Sequence, residues 1–133
     1  MKRVINLLLL ITLVYSCGST QNDRGKNIYK VTKINYLDDD TPIVYIEKDS
    51  LKAIIIEGNS ALDKKGAAKI QIGKFYHFDL KPIERNYRGR NDDFRIQSKS
   101  GKEFIIWTKD DGFPLLLYKA NNLSGVWIKE QDK

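Results

Sequence analysis

From residue 28 onward, apolar side chains recur at every second position, and turn-forming residues interrupt them. This alternation constrains the fold more than any other feature. A period of two places one face of an extended strand in a core and the other in solvent, whereas a helix would need apolar residues three and four apart. Residues 70–80 show it best. Ile70, Ile72, Tyr76, Phe78 and Leu80 share one face, with Lys74 as the exception. Gln71, Gly73, His77 and Asp79 share the other, broken by Phe75. The expectation is one long half-buried strand, stopped by Pro82, whose missing N–H cannot continue a ladder.

Other segments fit the same reading. Residues 28–37 make a first strand, closed by Asp38-Asp39-Asp40-Thr41-Pro42. Residues 43–46 and 51–57 flank Glu47-Lys48-Asp49-Ser50 and read as a hairpin. Ile54, Ile55 and Ile56 are consecutive and β-branched, which predicts a strand covered on both faces. Residues 94–97, 103–108, 115–119 and 126–129 are further strands. They are separated by Ser98-Lys99-Ser100-Gly101, by Lys109-Asp110-Asp111-Gly112 and by Asn121-Asn122-Leu123-Ser124-Gly125. Residues 60–68 are the one helix candidate. Ser60 and Asp63 have the spacing of a loose capping box, but Gly66 cuts the segment short, and a loop fits equally. The expected fold is all-β: a single small barrel or sandwich of about seven strands with at most one short helix. The order strand, hairpin, short helix, long strand is compatible with an OB-like barrel.

Composition narrows the classes. Of 133 residues, 41% are apolar and 30% charged, an ordinary globular balance that excludes a disordered polyelectrolyte, a multi-span membrane protein and a collagen-like repeat. A single cysteine and a single histidine exclude an intrachain disulfide and disfavour a four-ligand zinc site. No Gly-rich phosphate loop or Cys-x-x-Cys pair is present, so no cofactor and no metal is expected.

The first residues carry a different message. Lys2 and Arg3 precede residues 4–14, which are apolar apart from Asn6 and Thr12. That run is 11 residues long, and a membrane-spanning helix needs about 20. A short apolar run behind a positive start is the secretory pattern. Val14-Tyr15-Ser16-Cys17-Gly18 then resembles the lipobox of bacterial lipoproteins, with an aliphatic residue three before the cysteine and a small one just before it. Tyr15 departs from the small residue usual between them. The resemblance implies cleavage before Cys17 and its acylation, giving a signal peptide over residues 1–16, a lipidated tether over 17–27 and one β-rich domain over 28–133. Gly18 resembles lipoproteins sorted to the outer membrane of Gram-negative bacteria. Lys outnumbers Arg 17 to 6 and Ile reaches 16, as in AT-rich genomes. The strand Ile72-Gly73-Lys74-Phe75-Tyr76, the hairpin at Val44-Tyr45-Ile46 and the ending Leu123-Ser124-Gly125-Val126-Trp127-Ile128 are similar to small Bacteroidota lipoproteins of unknown function.

Few residues suggest chemistry. His77 is the only histidine, and Asp79 lies two residues on, where it could orient a general base. No Gly-x-Ser-x-Gly elbow accompanies them, so a surface strand histidine is the preferred reading and no catalytic residue is assigned. Asp38, Asp39 and Asp40 lack the spacing of a calcium loop and read as an acidic turn. Residues 82–93, PIERNYRGRNDD, form the most unusual loop. Arg85, Arg88 and Arg90 bracket Tyr87, a pattern that could bind an anion or an acidic partner. The same charges also suit a solvated connection balanced by Glu84, Asp92 and Asp93. Asp49-Ser50-Leu51 resembles the O-glycosylation site of Bacteroidota, with Ser50 the acceptor. The sequon Asn122-Leu123-Ser124 carries little weight in a bacterium.

The functional expectation is an envelope lipoprotein acting as a non-enzymatic binding or structural module. Its partners would be the membrane through the lipid anchor and a protein or an acidic glycan, with nucleic acid unlikely for an exported chain. The alternative is a periplasmic inhibitor or immunity protein against a toxin or a lytic hydrolase. A hydrolase relying on His77 and Asp79 is the third.

Overall fold

The computed structural model describes residues 27–83 and 93–130. Among these, the chain forms eleven strands and no α-helix. The all-β class is therefore as expected, with more and shorter strands than anticipated. The strands are β1 (Ile28–Asp38), β2 (Thr41–Lys48), β3 (Leu51–Glu57), β4 (Ala68–Lys69), β5 (Phe75–His77) and β6 (Leu80–Pro82). They continue with β7 (Phe94–Gln97), β8 (Glu103–Trp107), β9 (Leu117–Ala120), β10 (Leu123–Ser124) and β11 (Trp127–Ile128). One 3-10 turn, Lys109–Asp111, precedes β9.

β1, β2 and β3 form an antiparallel meander joined by two-residue turns, Asp39-Asp40 and Asp49-Ser50. Asp49 takes a positive φ of 53°, a conformation that Asp tolerates better than most residues and that suits a tight hairpin. β3 then pairs in parallel with β9, and β9 pairs antiparallel with β6, giving a six-stranded sheet in the order β5-β1-β2-β3-β9-β6, curled into half a barrel. Its two edge strands come from one stretch of chain. β5 pairs with β1 and β6 pairs with β9, separated only by Phe78 and Asp79. One broken stretch of chain thus bridges the two edges of the wall. β10, β11 and β4 form a small second sheet, and β7–β8 is a separate hairpin.

The central strands are buried on both faces. Val44, Ile46, Ala53 and Ile55 point into the curl, where they pack with Val31, Ile70, Phe78, Leu123 and Ile128. The alternate residues Ile43 and Ile54 point outward, with Leu117 from β9, and pack against Phe94 and Ile106 of the β7–β8 hairpin. Ile54 and Ile55 are both fully buried, one on each face, as the run of isoleucines predicted.

Three local expectations are corrected. Residues 70–80 are not one strand. A turn at Ile72-Gly73 interrupts them, with Gly73 at φ 90°, and separates β4 from β5. The Gly73 N–H donates to the Val31 carbonyl at 2.7 Å, while the Val31 N–H donates to the Lys74 carbonyl at 3.0 Å. Ile70 and Phe78 reach the core as expected, but Ile72 is left 61% exposed. Residues 60–68 do not form a helix. Asn59 Oδ1 accepts the Ala61 N–H and Asp63 Oδ1 accepts the Lys65 N–H, so two side chains fold the backbone into turns in place of a helical ladder. The expected separator at 121–125 contains β10, whose Leu123 and Ser124 are buried.

Candidate binding groove

A concavity of about 750 Å³ lies at one end of the sheet. Four segments build it. The β1–β2 turn contributes Tyr36, Asp39, Asp40 and Pro42. The end of β3 and the loop after it contribute Glu57, Gly58, Asn59 and Lys64. Lys99 comes from the β7–β8 turn, and the β10–β11 turn and Trp127 complete the lining.

The geometry is held by backbone contacts. The Asn59 N–H donates to the Leu123 carbonyl at 2.6 Å, closing the loop after β3 against β10. Gly58 is required there, because a Cβ at that position would lie 2.6 Å from the Leu123 carbonyl oxygen. The Asn59 amide donates to the Asn121 carbonyl at 3.1 Å. The Lys99 N–H donates to Asp38 Oδ2 at 3.4 Å, tying the hairpin tip to the β1–β2 turn.

Two aromatic side chains of the groove are exposed. Tyr36 is 50% and Trp127 40% exposed. Trp107 spends its indole N–H on the Phe113 carbonyl at 2.9 Å, whereas the Trp127 indole N–H and the Tyr36 hydroxyl have no partner among the described residues. Asp39, Asp40, Lys64 and the Lys99 ammonium form no ion pair among them either, and Glu57 lies only within 3.9 Å of Lys119 at the rim. Three carboxylates and two ammonium groups therefore line one mixed polar and aromatic surface.

Of the residues singled out from sequence, Cys17, Arg85, Tyr87, Arg88 and Arg90 lie outside the described residues, as does Asp92. The flanks of the arginine loop are described. The Ile83 N–H donates to the Leu117 carbonyl at 3.0 Å, and Asp93 lies 3.7 Å from Arg95. Ser50 is exposed in the β2–β3 turn. His77 is half-buried on β5 and makes no hydrogen bond with the exposed Asp79. The His77 Nδ1 atom is buried without a partner among the described residues. Among the described residues no three His, Cys, Asp or Glu side chains converge as metal ligands. The sequon residue Asn122 is buried, and its amide is used within the fold. Sequence reasoning found the acidic turn but not its neighbours Tyr36, Glu57, Asn59, Lys64 and Trp127. These come from segments far apart in the chain, and only Tyr36 lies close enough to the acidic run to have been noticed beside it.

Compared with protein-family models, curated proteins and solved structures, the chain matches none.

Proposed function

We propose that this chain is a lipid-anchored, non-enzymatic binding module of a Gram-negative envelope, held in the outer membrane by an acylated Cys17. The supporting observation is the polarity of the β-sheet. β1 begins at Ile28 beside the β2–β3 turn and ends at Asp38 beside the groove. A tether attached before Ile28 therefore leaves from the end opposite the groove. Residues 17–27 can span up to about 36–40 Å when extended, enough to hold the groove clear of a membrane surface. Each buried methylene of an acyl chain contributes about 0.8 kcal/mol, so two or three chains on one cysteine suffice for anchoring. Cofactors and nucleic acid play no part in this reading. The expected outcome for Cys17→Ser is loss of acylation and release from the membrane fraction, measured by fractionation and mass spectrometry. A variant that stays tightly anchored would overturn the lipid anchor.

One observation favours the second reading, an inhibitor or immunity protein. Ile72 and Phe75 stand 61% and 64% exposed on the same turn, apolar surface of the kind a protein partner covers. Co-purification of a single stoichiometric protein, lost on Phe75→Ser, would select it.

A further inference from the structure

Small, partly open β-barrels offer ligands the outer face of their second and third strands together with the loops beside it. In this chain that face is filled from within. Ile43 and Ile54 are fully buried beneath Phe94 and Ile106 of the chain's own β7–β8 hairpin. The exposed concavity lies at the β1–β2 turn, lined by Tyr36, Trp127 and the carboxylates of Asp39 and Asp40. We propose that this groove binds a neutral or N-acetylated oligosaccharide, an inference that rests on the binding role proposed above and names its ligand class.

The chemistry of the lining carries the choice. Sugar rings present C–H faces that pack on aromatic rings, and Tyr36 and Trp127 are exposed aromatic side chains that line the groove. Sugar hydroxyls and acetamido N–H groups donate hydrogen bonds, and Asp39, Asp40 and Glu57 are acceptors. Lys64, Lys99 and the unused Trp127 N–H are the matching donors for hydroxyl and acetyl oxygens. Three carboxylates against two ammonium groups disfavour a polyanion. An extended peptide joining by strand addition would need free backbone groups, but the Leu123 carbonyl on this wall is already taken by the Asn59 N–H. The groove's volume lies within the range of about 300–1,000 Å³ common for small-ligand sites.

The test uses the full chain solubilised in a zwitterionic detergent without a sugar headgroup. Maltotriose, cellotriose and N,N′,N″-triacetylchitotriose are each titrated by calorimetry and by tryptophan fluorescence. At least one should bind saturably, with an emission change that Trp127→Ala removes. Trp127→Ala, Tyr36→Ala and Asp40→Asn should each weaken binding, the first by about tenfold or more. Tyr36 and Asp40 sit at the exposed strand end and turn, so these two variants keep the test valid if Trp127→Ala fails to fold. No saturable binding of any of the three sugars at tens of millimolar overturns the proposal, as does binding that all three variants leave unchanged. If the sugars fail but the same variants abolish capture of a purified protein partner, the binding role stands and the ligand class is wrong. If no groove variant alters any binding, both fail.

Discussion

The buried Asn122 side chain makes three hydrogen bonds to backbone groups. Its Nδ2 donates to the His77 carbonyl at 2.8 Å and to the Lys129 carbonyl at 3.3 Å, and its Oδ1 accepts the Asp79 N–H at 2.8 Å. It thus satisfies backbone groups where the bridging stretch passes from β5 to β6 and ties them to the chain after β11. A buried polar group left without its partner costs about 1–3 kcal/mol. Asn122→Ala should therefore destabilise the protein by about 2–4 kcal/mol, read from the denaturant midpoint. A loss below about 0.5 kcal/mol would mean water replaces the amide. The sequence showed this residue only as a sequon in a polar separator. Its role depends on carbonyls up to 45 positions away, which no local pattern encodes.

At the scale of elements, the β7–β8 hairpin is joined to the sheet by packing and by few polar contacts. The principal one runs from β2, where the Tyr45 hydroxyl donates to the Ile106 carbonyl at 2.7 Å. Lys33 caps the other side of that ring, its Nζ 5.2 Å from the ring centre. Burial raises the Tyr45 pKa above its usual 10, with Asp111 adding to the rise and a hydrogen bond from the Asn35 side chain opposing it. Tyr29 is raised as well, by burial first and then by Tyr118. The folded state therefore holds these protons more tightly than the unfolded chain. The stabilisation is complete below pH 10 and is lost as pH rises through the raised folded values. Tyr45→Phe should cost about 1 kcal/mol at neutral pH and flatten, without abolishing, the fall in stability above pH 10, measured by thermal melts across pH. An unchanged alkaline slope would assign the dependence to Tyr29. The β2–β3 hairpin was legible because apolar, β-branched runs flank a polar turn, whereas β1 alternates only imperfectly and was marked mainly by the acidic break that closes it. The strand over 70–80 was misjudged because Gly73, able to take φ 90°, breaks a pattern that alternation alone cannot see broken. The helix candidate failed because Asn59 and Asp63 bond to the backbone two residues on.

For the whole molecule, the buried residues of both apolar clusters among the described residues run from Val31 to Ile128. A chain of residues 28–130 should give a far-UV spectrum dominated by strand and a cooperative melt, whereas a helical spectrum would refute the assignment. The sequence by itself determined the β class, the hairpins of the meander and the double burial of β3. Each follows from side-chain period, β-branching and turn chemistry acting over a few residues. It also carried the export and lipid-anchor expectation, which rests on the first 18 residues. Only the tertiary structure decided that one broken stretch bridges both sheet edges, that a hairpin fills the outer face of β2 and β3, and that Tyr36 and Trp127 line one groove. Those features arise from pairings between distant segments. Their energies depend on which surfaces come together, and a linear pattern of polar and apolar residues does not specify that.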